Sequence, residues 1–122
     1  MWAIKKSVLL NACSSAINFI PDEFMCFLGG NKKTKIIDEI IFMPTENSEH
    51  SVSVNELNIP FDDTILGSLH SHPFSSNKPS KEDKRFFRKY SVNVILGYPY
   101  SIETTGFYDE KGGEIKIILI EG

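Results

Sequence analysis

The feature of this sequence that most restricts its fold is a pair of histidines two residues apart at the end of an apolar run: His70 and His72 in TILGSLHSHP, residues 64–73. On a helix, residues two apart lie on nearly opposite faces. On a strand the side-chain period is two, and both imidazoles point to one side of the sheet, where they can share an ion. Ile65, Leu66 and Leu69, punctuated by Gly67 and Pro73, favour a strand over residues 64–72 that ends at the motif. A loop containing Pro79 follows, and then Ser80 and Asp83 open a helical segment, so Asp83 can offer a carboxylate oxygen from that helix's first turn. Two imidazoles and one carboxylate leave a tetrahedral zinc ion with its fourth position free for water, as in a catalytic site and unlike a closed structural one. A plainer reading fits the same residues. An HxH pair also arises by chance, and Ser80-Lys81-Glu82-Asp83 matches a helix-opening capping box. On the residues alone both readings stand.

The chain of 122 residues reads as one domain, residues 1–122, large enough for a hydrophobic core without covalent staples. Hydrophobic residues make up 41% and charged residues 24%, which points to neither disorder nor a membrane span. A net charge of -3 gives no support to nucleic-acid binding driven by phosphate neutralisation. The basic residues that cluster next to the motif, Lys78, Lys81, Lys84, Arg85, Arg88 and Lys89, read as the solvated face of a helix. Cys13 and Cys26 cannot define a disulfide framework and are expected as reduced, buried thiols of a cytoplasmic protein. Lys5 and Lys6 before SVLLNAC faintly imitate a lipoprotein signal, but Asn11 interrupts an apolar stretch too short for one, and the segment reads as an amphipathic helix.

Taken in order, the apolar residues of 4–20 recur at three and four, predicting a helix that Pro21 ends. Residues 22–30, DEFMCFLGG, are an acidic pair entering a strand buried on both faces, with Glu23 at the sheet end. Residues 35–43 predict an Ile-rich strand, 45–49 a polar loop and 51–54 a short half-exposed strand. Residues 55–63 follow no period, and Leu57, Ile59 and Phe61 there are expected to tuck onto the sheet or to form an apolar lip beside a groove. After the motif come a helix over 81–90, with Phe86, Phe87 and Tyr90 as its core face, and a buried strand over 92–97. A terminal hairpin is predicted, 104–108 pairing with 115–120 across Lys111-Gly112-Gly113. Two main helices and about seven strands give an α/β or α+β fold with helices packed on a mixed sheet.

Taken together, Glu23, then H-S-H-P at His70 to Pro73, then Ser80 and Asp83 after a spacer of six residues, seven with Pro73 counted, resemble the JAMM, or MPN+, motif of metalloproteases. The order of predicted elements extends the resemblance over essentially the whole chain, and its small size is similar to that of the compact archaeal members. The resemblance implies a cytidine-deaminase-like α/β fold and a zinc-dependent isopeptidase that removes ubiquitin or ubiquitin-like modifiers from lysine side chains. Carried onto this sequence, it implies that His70, His72 and Asp83 bind one zinc ion per chain. Glu23 would be the general base and proton shuttle, and Ser80 would stabilise the oxyanion. The partners implied are modifier proteins and their conjugates, with no nucleic acid or membrane, and the chain is expected to be a monomer or weak homodimer.

Some eukaryotic relatives carry a second, structural zinc in an insertion after the motif helix. This chain has no His or Cys after His72, and its segments 55–63 and 98–106, positioned like the family's substrate-contacting insertions, are short. A more open groove and a broader substrate range are expected. Two other functions compete. One is a non-enzymatic MPN scaffold, against which the intact Glu, His, His, Asp and Ser argue; the other is a JAMM-type peptidase acting on a small carrier protein or small molecule. Other zinc hydrolases lack their motifs here, since the chain has neither H-E-x-x-H nor P-C-x-x-C.

Overall fold

The predicted histidine strand lies inside the sheet, next to its middle strand. The computed structural model describes residues 1–42, 46–47, 52–53 and 64–122. In chain order these form β1 (Ala3–Lys5), α1 (Lys6–Phe19), β2 (Met25–Asn31), β3 (Ile36–Ile41), β4 (Glu46–Asn47), β5 (Val52–Ser53), β6 (Ile65–His72), α2 (Lys81–Phe87) and β7 (Val92–Gly97). A 3₁₀ turn (Ile102–Thr104), β8 (Thr105–Tyr108) and β9 (Ile118–Ile120) complete them. Among the described residues, seven strands make one mixed sheet in the order β8-β7-β6-β2-β3-β1-β9, and β4 and β5 pair with each other. With β2 antiparallel on one side and β7 parallel on the other, β6 is buried along most of its length.

The period of two sorts the two faces. Leu69, Cys26, Leu28, Val94 and Leu96 join the stripe of α1 formed by Val8, Leu9, Ala12, Cys13 and Ala16. Ser68, His70, Phe27, Asn93 and Ile95 face the other way, toward α2, where Phe87 stacks on Tyr108 and lies 6.4 Å from the His70 ring. The α2 side thus holds the histidines against an apolar floor. Cys13 and Cys26 are both buried free thiols, and burial pushes the Cys26 thiol up to about 12. Among the described residues no helix is long and apolar enough to cross a membrane.

Four sequence expectations are corrected. Ile4 belongs to β1, paired in parallel with β3 and β9, and the helix begins only at Lys6. Glu46–Asn47 is a short strand within the expected loop. The motif helix ends at Phe87 instead of residue 90, because the buried Asn93 amide reaches up to the carbonyls of Phe87 and Tyr90 at 3.3 and 3.0 Å and takes the place of another helical turn. The terminal hairpin does not form as predicted. β8 pairs with β7 at one edge of the sheet, and β9 pairs with β1 at the other. Residues 113–115 do fold back on β8, with Ile115 N–H donating to the Phe107 carbonyl, but three residues later Ile118 N–H donates to Trp2. At about 3.3 Å per residue the two edges are only about 10 Å apart there. The sheet therefore curls around α1, and Ile115 and Ile117 close its core. Residues 55–63, with Leu57, Ile59 and Phe61, lie outside the described residues.

Candidate metal centre

β6 ends at His72 on the face toward α2, and α2 begins at Lys81 directly above it. Ser80 caps that helix reciprocally: Asp83 N–H donates to Ser80 Oγ at 3.0 Å, and Ser80 N–H donates to Asp83 Oδ2 at 2.9 Å. The capping box and the metal reading are therefore the same structure. The cap fixes the Asp83 carboxylate so that Oδ1 lies 3.1 Å from His70 Nε2 and Oδ2 lies 3.0 Å from His72 Nε2, the two ring nitrogens being 3.1 Å apart.

These three groups fit a single zinc ion. His72 Nδ1 lies 2.8 Å from the Ser76 carbonyl, which only a protonated Nδ1 can contact favourably, so Nε2 presents its lone pair to the cluster. Two imidazole nitrogens and a carboxylate converging on one point is an arrangement a cation satisfies. A tetrahedral zinc with bonds of 2.0–2.1 Å separates its donors by about 3.3 Å, within a few tenths of the spacing here. All three donors lie within 4.8 Å of one another. The electrostatics agree. Burial works against the charge of Asp83, but His70, His72 and the Ser80 N–H overcome it and hold the carboxyl well below the usual carboxylate range. Asp83 in turn raises the His72 imidazole, against burial and with help from the Ser76 carbonyl.

Glu23 sits just before β2. The pairing of Met25 with His70 runs one step further, through Ser71 N–H to the Phe24 carbonyl at 2.9 Å and Phe24 N–H to Ser71 Oγ at 2.8 Å. The next register position puts Glu23 opposite His72, on the metal face. Burial pushes its carboxyl above the ordinary range; His70 and His72 oppose this, and Asp83 adds to it. Phe24 itself packs with Phe19 and Phe42 and joins the α1 core.

Several positioning residues have no counterpart in the motif. Ser71 is fully buried and ties the Glu23 segment to β6; a hydroxyl on the inward face of a central strand must have a partner, which is the signal that could have found it. Asn77 anchors the loop between His72 and Ser80. Its side chain donates to the Thr104 carbonyl at 2.9 Å, and its own carbonyl accepts from Tyr108 Oη at 2.7 Å. Gly97, paired with His72, lets that loop lie flat on β7: a Cβ there would meet the Asn77 backbone N at 2.8 Å and the Thr104 carbonyl at 2.9 Å. Gly97→Ala is therefore expected to lift the loop that carries Ser76 and to weaken zinc binding about 10- to 100-fold, the usual cost of lost support to a ligand. Competition with a chromophoric chelator measures it, and unchanged affinity would show that the loop does not orient His72.

Residues 6–107 match the family model for prokaryotic homologs of the JAB domain. The chain belongs to the JAB/JAMM family. This JAB-family chain is 28% identical over 101 residues to a probable metalloprotease of Haloferax volcanii, a match covering 75% of the chain and 63% of that relative. It thus spans less than two thirds of the relative's length. Its fold is similar to that of a structure described as a JAMM metalloprotease-like zinc site in the proteasome and signalosome, at 29% identity, a TM-score of 0.78 and 99% of each chain. A JAB1/MPN domain protein from Archaeoglobus fulgidus is similar at 30% identity and a TM-score of 0.77, over 98% of this chain and 99% of that one. A protein from Desulfitobacterium hafniense shares the fold at 21% identity and a TM-score of 0.72, over 100% of this chain and 94% of its own.

Proposed function

We propose that this JAB-family chain is a zinc-dependent isopeptidase that hydrolyses the amide bond between the C-terminus of a ubiquitin-like modifier and a lysine side chain. The observation that carries the reading is the convergence of His70, His72 and Asp83 at the end of β6, with the register placing Glu23 on the same face. The relative described as a probable metalloprotease supports the hydrolytic part. Zinc, when bound, supplies the Lewis acidity that makes water nucleophilic near neutral pH and polarises the scissile carbonyl. Glu23, kept basic by burial, takes a proton from the attacking water on a carboxylate oxygen. It returns that proton to the departing lysine nitrogen as the C–N bond breaks. Ser80 Oγ accepts from Asp83 N–H and so retains its own hydrogen, which it donates to the oxygen that gains charge.

Ser80→Ala is expected to keep zinc and to lower kcat by about 10² to 10³, the usual loss of one oxyanion donor. Loss of the cap should lower stability by only about 1 kcal/mol, which urea titration separates from the rate effect. The function itself is tested with a modifier ending in Gly-Gly, linked to a lysine-containing peptide. Cleavage is expected, should stop on chelation and return with zinc. The tail should lie extended between narrow walls that admit only small side chains, so replacing its last Gly by Leu should abolish cleavage. Equal turnover of both tails would sink this substrate assignment and favour a small-molecule peptidase.

A further inference from the structure

The solvent side of α2 carries Lys81, Lys84, Arg85 and Arg88, spaced at three and four, opposite the face that Phe87 buries. The turn after β8 adds a fifth cation. Asp109 Oδ1 accepts from the backbone N–H groups of Lys111 and Gly113, each at 2.9 Å, and this shapes the turn that presents Lys111. The turn is pressed onto the helix: a Cβ on Gly112 would lie 2.8 Å from Cγ of Lys84. Together the two elements line one depression, and Glu110 lines it with them. Five of the chain's thirteen Lys and Arg are gathered here although its net charge is -3.

Helix electrostatics account for part of this stripe only. Cations in a last turn or at its C-cap are favoured by the helix dipole, which covers Lys84 and Arg85 in the last turn and Arg88 at the cap. Lys81 stands in the first turn, where the dipole disfavours a cation, and Lys111 comes from another element. Among the described residues no carboxylate pairs with any of the five. The stripe is a preformed positive surface about one helix diameter, roughly 10 Å, from the metal face of the same helix.

We propose that this surface is an exosite for a carboxylate-rich face of the folded protein substrate, docking it beside the metal centre. A short peptide bound at the metal cannot reach around the helix, whereas a folded domain can touch both. A nucleic acid fits less well. The stripe spans only about 10 Å, enough for few phosphates, and Glu110 lies within it. The exosite rests on the isopeptidase reading for its substrate, and it is therefore tested first by binding.

The probes are a strongly acidic folded domain ending in Gly-Gly, the same domain with its surface carboxylates changed to amides, and a carrier-free Gly-Gly-Lys peptide. The acidic domain should bind the full-length protein, more weakly as salt rises, and Arg85→Glu with Arg88→Glu should raise its Kd at least about tenfold. Glu110→Lys should tighten it. In cleavage the double variant should raise KM for the acidic conjugate, leave kcat unchanged and leave the carrier-free peptide unaffected. Equal Kd values for the acidic and amide domains, or for wild type and the double variant, overturn the exosite. So does tighter binding of a single-stranded oligonucleotide that the same variant abolishes. Binding as expected without any cleavage supports the exosite and removes the isopeptidase reading instead.

Discussion

His72→Ala is expected to yield a folded protein that no longer retains zinc and cleaves nothing. The side chain supplies one of three donors spaced 3.0–3.1 Å apart, and with two left a zinc site has too few protein ligands to hold the ion. Compared in chelator, to remove the stabilisation that bound metal itself provides, the variant should melt within about 5 °C of wild type, what about 1 kcal/mol yields in a domain of this size. The reason is where the residue stands. His72 is at the strand's open end, half-buried, while the core made by α1, Leu69, Val94 and Leu96 lies on the other face of the sheet. His70 is more deeply set, 5% exposed and beside Phe87, so His70→Ala should lose the metal and more stability as well. Metal analysis and thermal melts in chelator separate the two effects. Retention of stoichiometric zinc by His72→Ala would mean that the ion is held elsewhere.

The local parts of this molecule were legible in its sequence, and the non-local parts were not. A period of two at His70 and His72 and the apolar runs of β2 and β7 each specify a buried strand from neighbours alone. Ser80 and Asp83 are three residues apart on one helical turn, so their joint placement follows from spacing. The ends of elements were set by distant residues. Asn93 stops α2 early, and the pairing of Ala3 and Ile4 with both β3 and β9 draws Ile4 out of a helical pattern that it otherwise fits. The segment IKIILI can serve either edge of a sheet. Only the curl that brings β8 near β1 lets its first part bond one edge and its last part the other, and hairpin reasoning from turn chemistry has no access to that curl. The same limit hid Ser71, Asn77 and Gly97, whose partners lie 47 and 27 residues away or across a strand pair.

Glu23→Gln is expected to bind zinc and substrate as wild type does and to lose turnover by about 10² to 10⁴, the usual share of general acid-base catalysis. The amide has nearly the shape of the carboxyl and can still hydrogen-bond a water, but it cannot take up a proton at any accessible pH. The fold should be indifferent to the change. Glu23 precedes β2, and the segment is tied down through the backbone of Phe24 and the hydroxyl of Ser71, neither of which the substitution alters. Nor should zinc content change, since the cluster of three ligands does not include Glu23. Burial that raises the Glu23 carboxyl suits it to accept a proton and release it again, and a neutral amide in the same place tests that role without disturbing shape. A scaffold makes the opposite forecast, because binding alone would be its activity and the variant would retain all of it. Wild-type cleavage by Glu23→Gln with zinc bound would remove Glu23 as the base, and Asp22, the adjacent carboxylate, would be tested next by the same substitution to its amide.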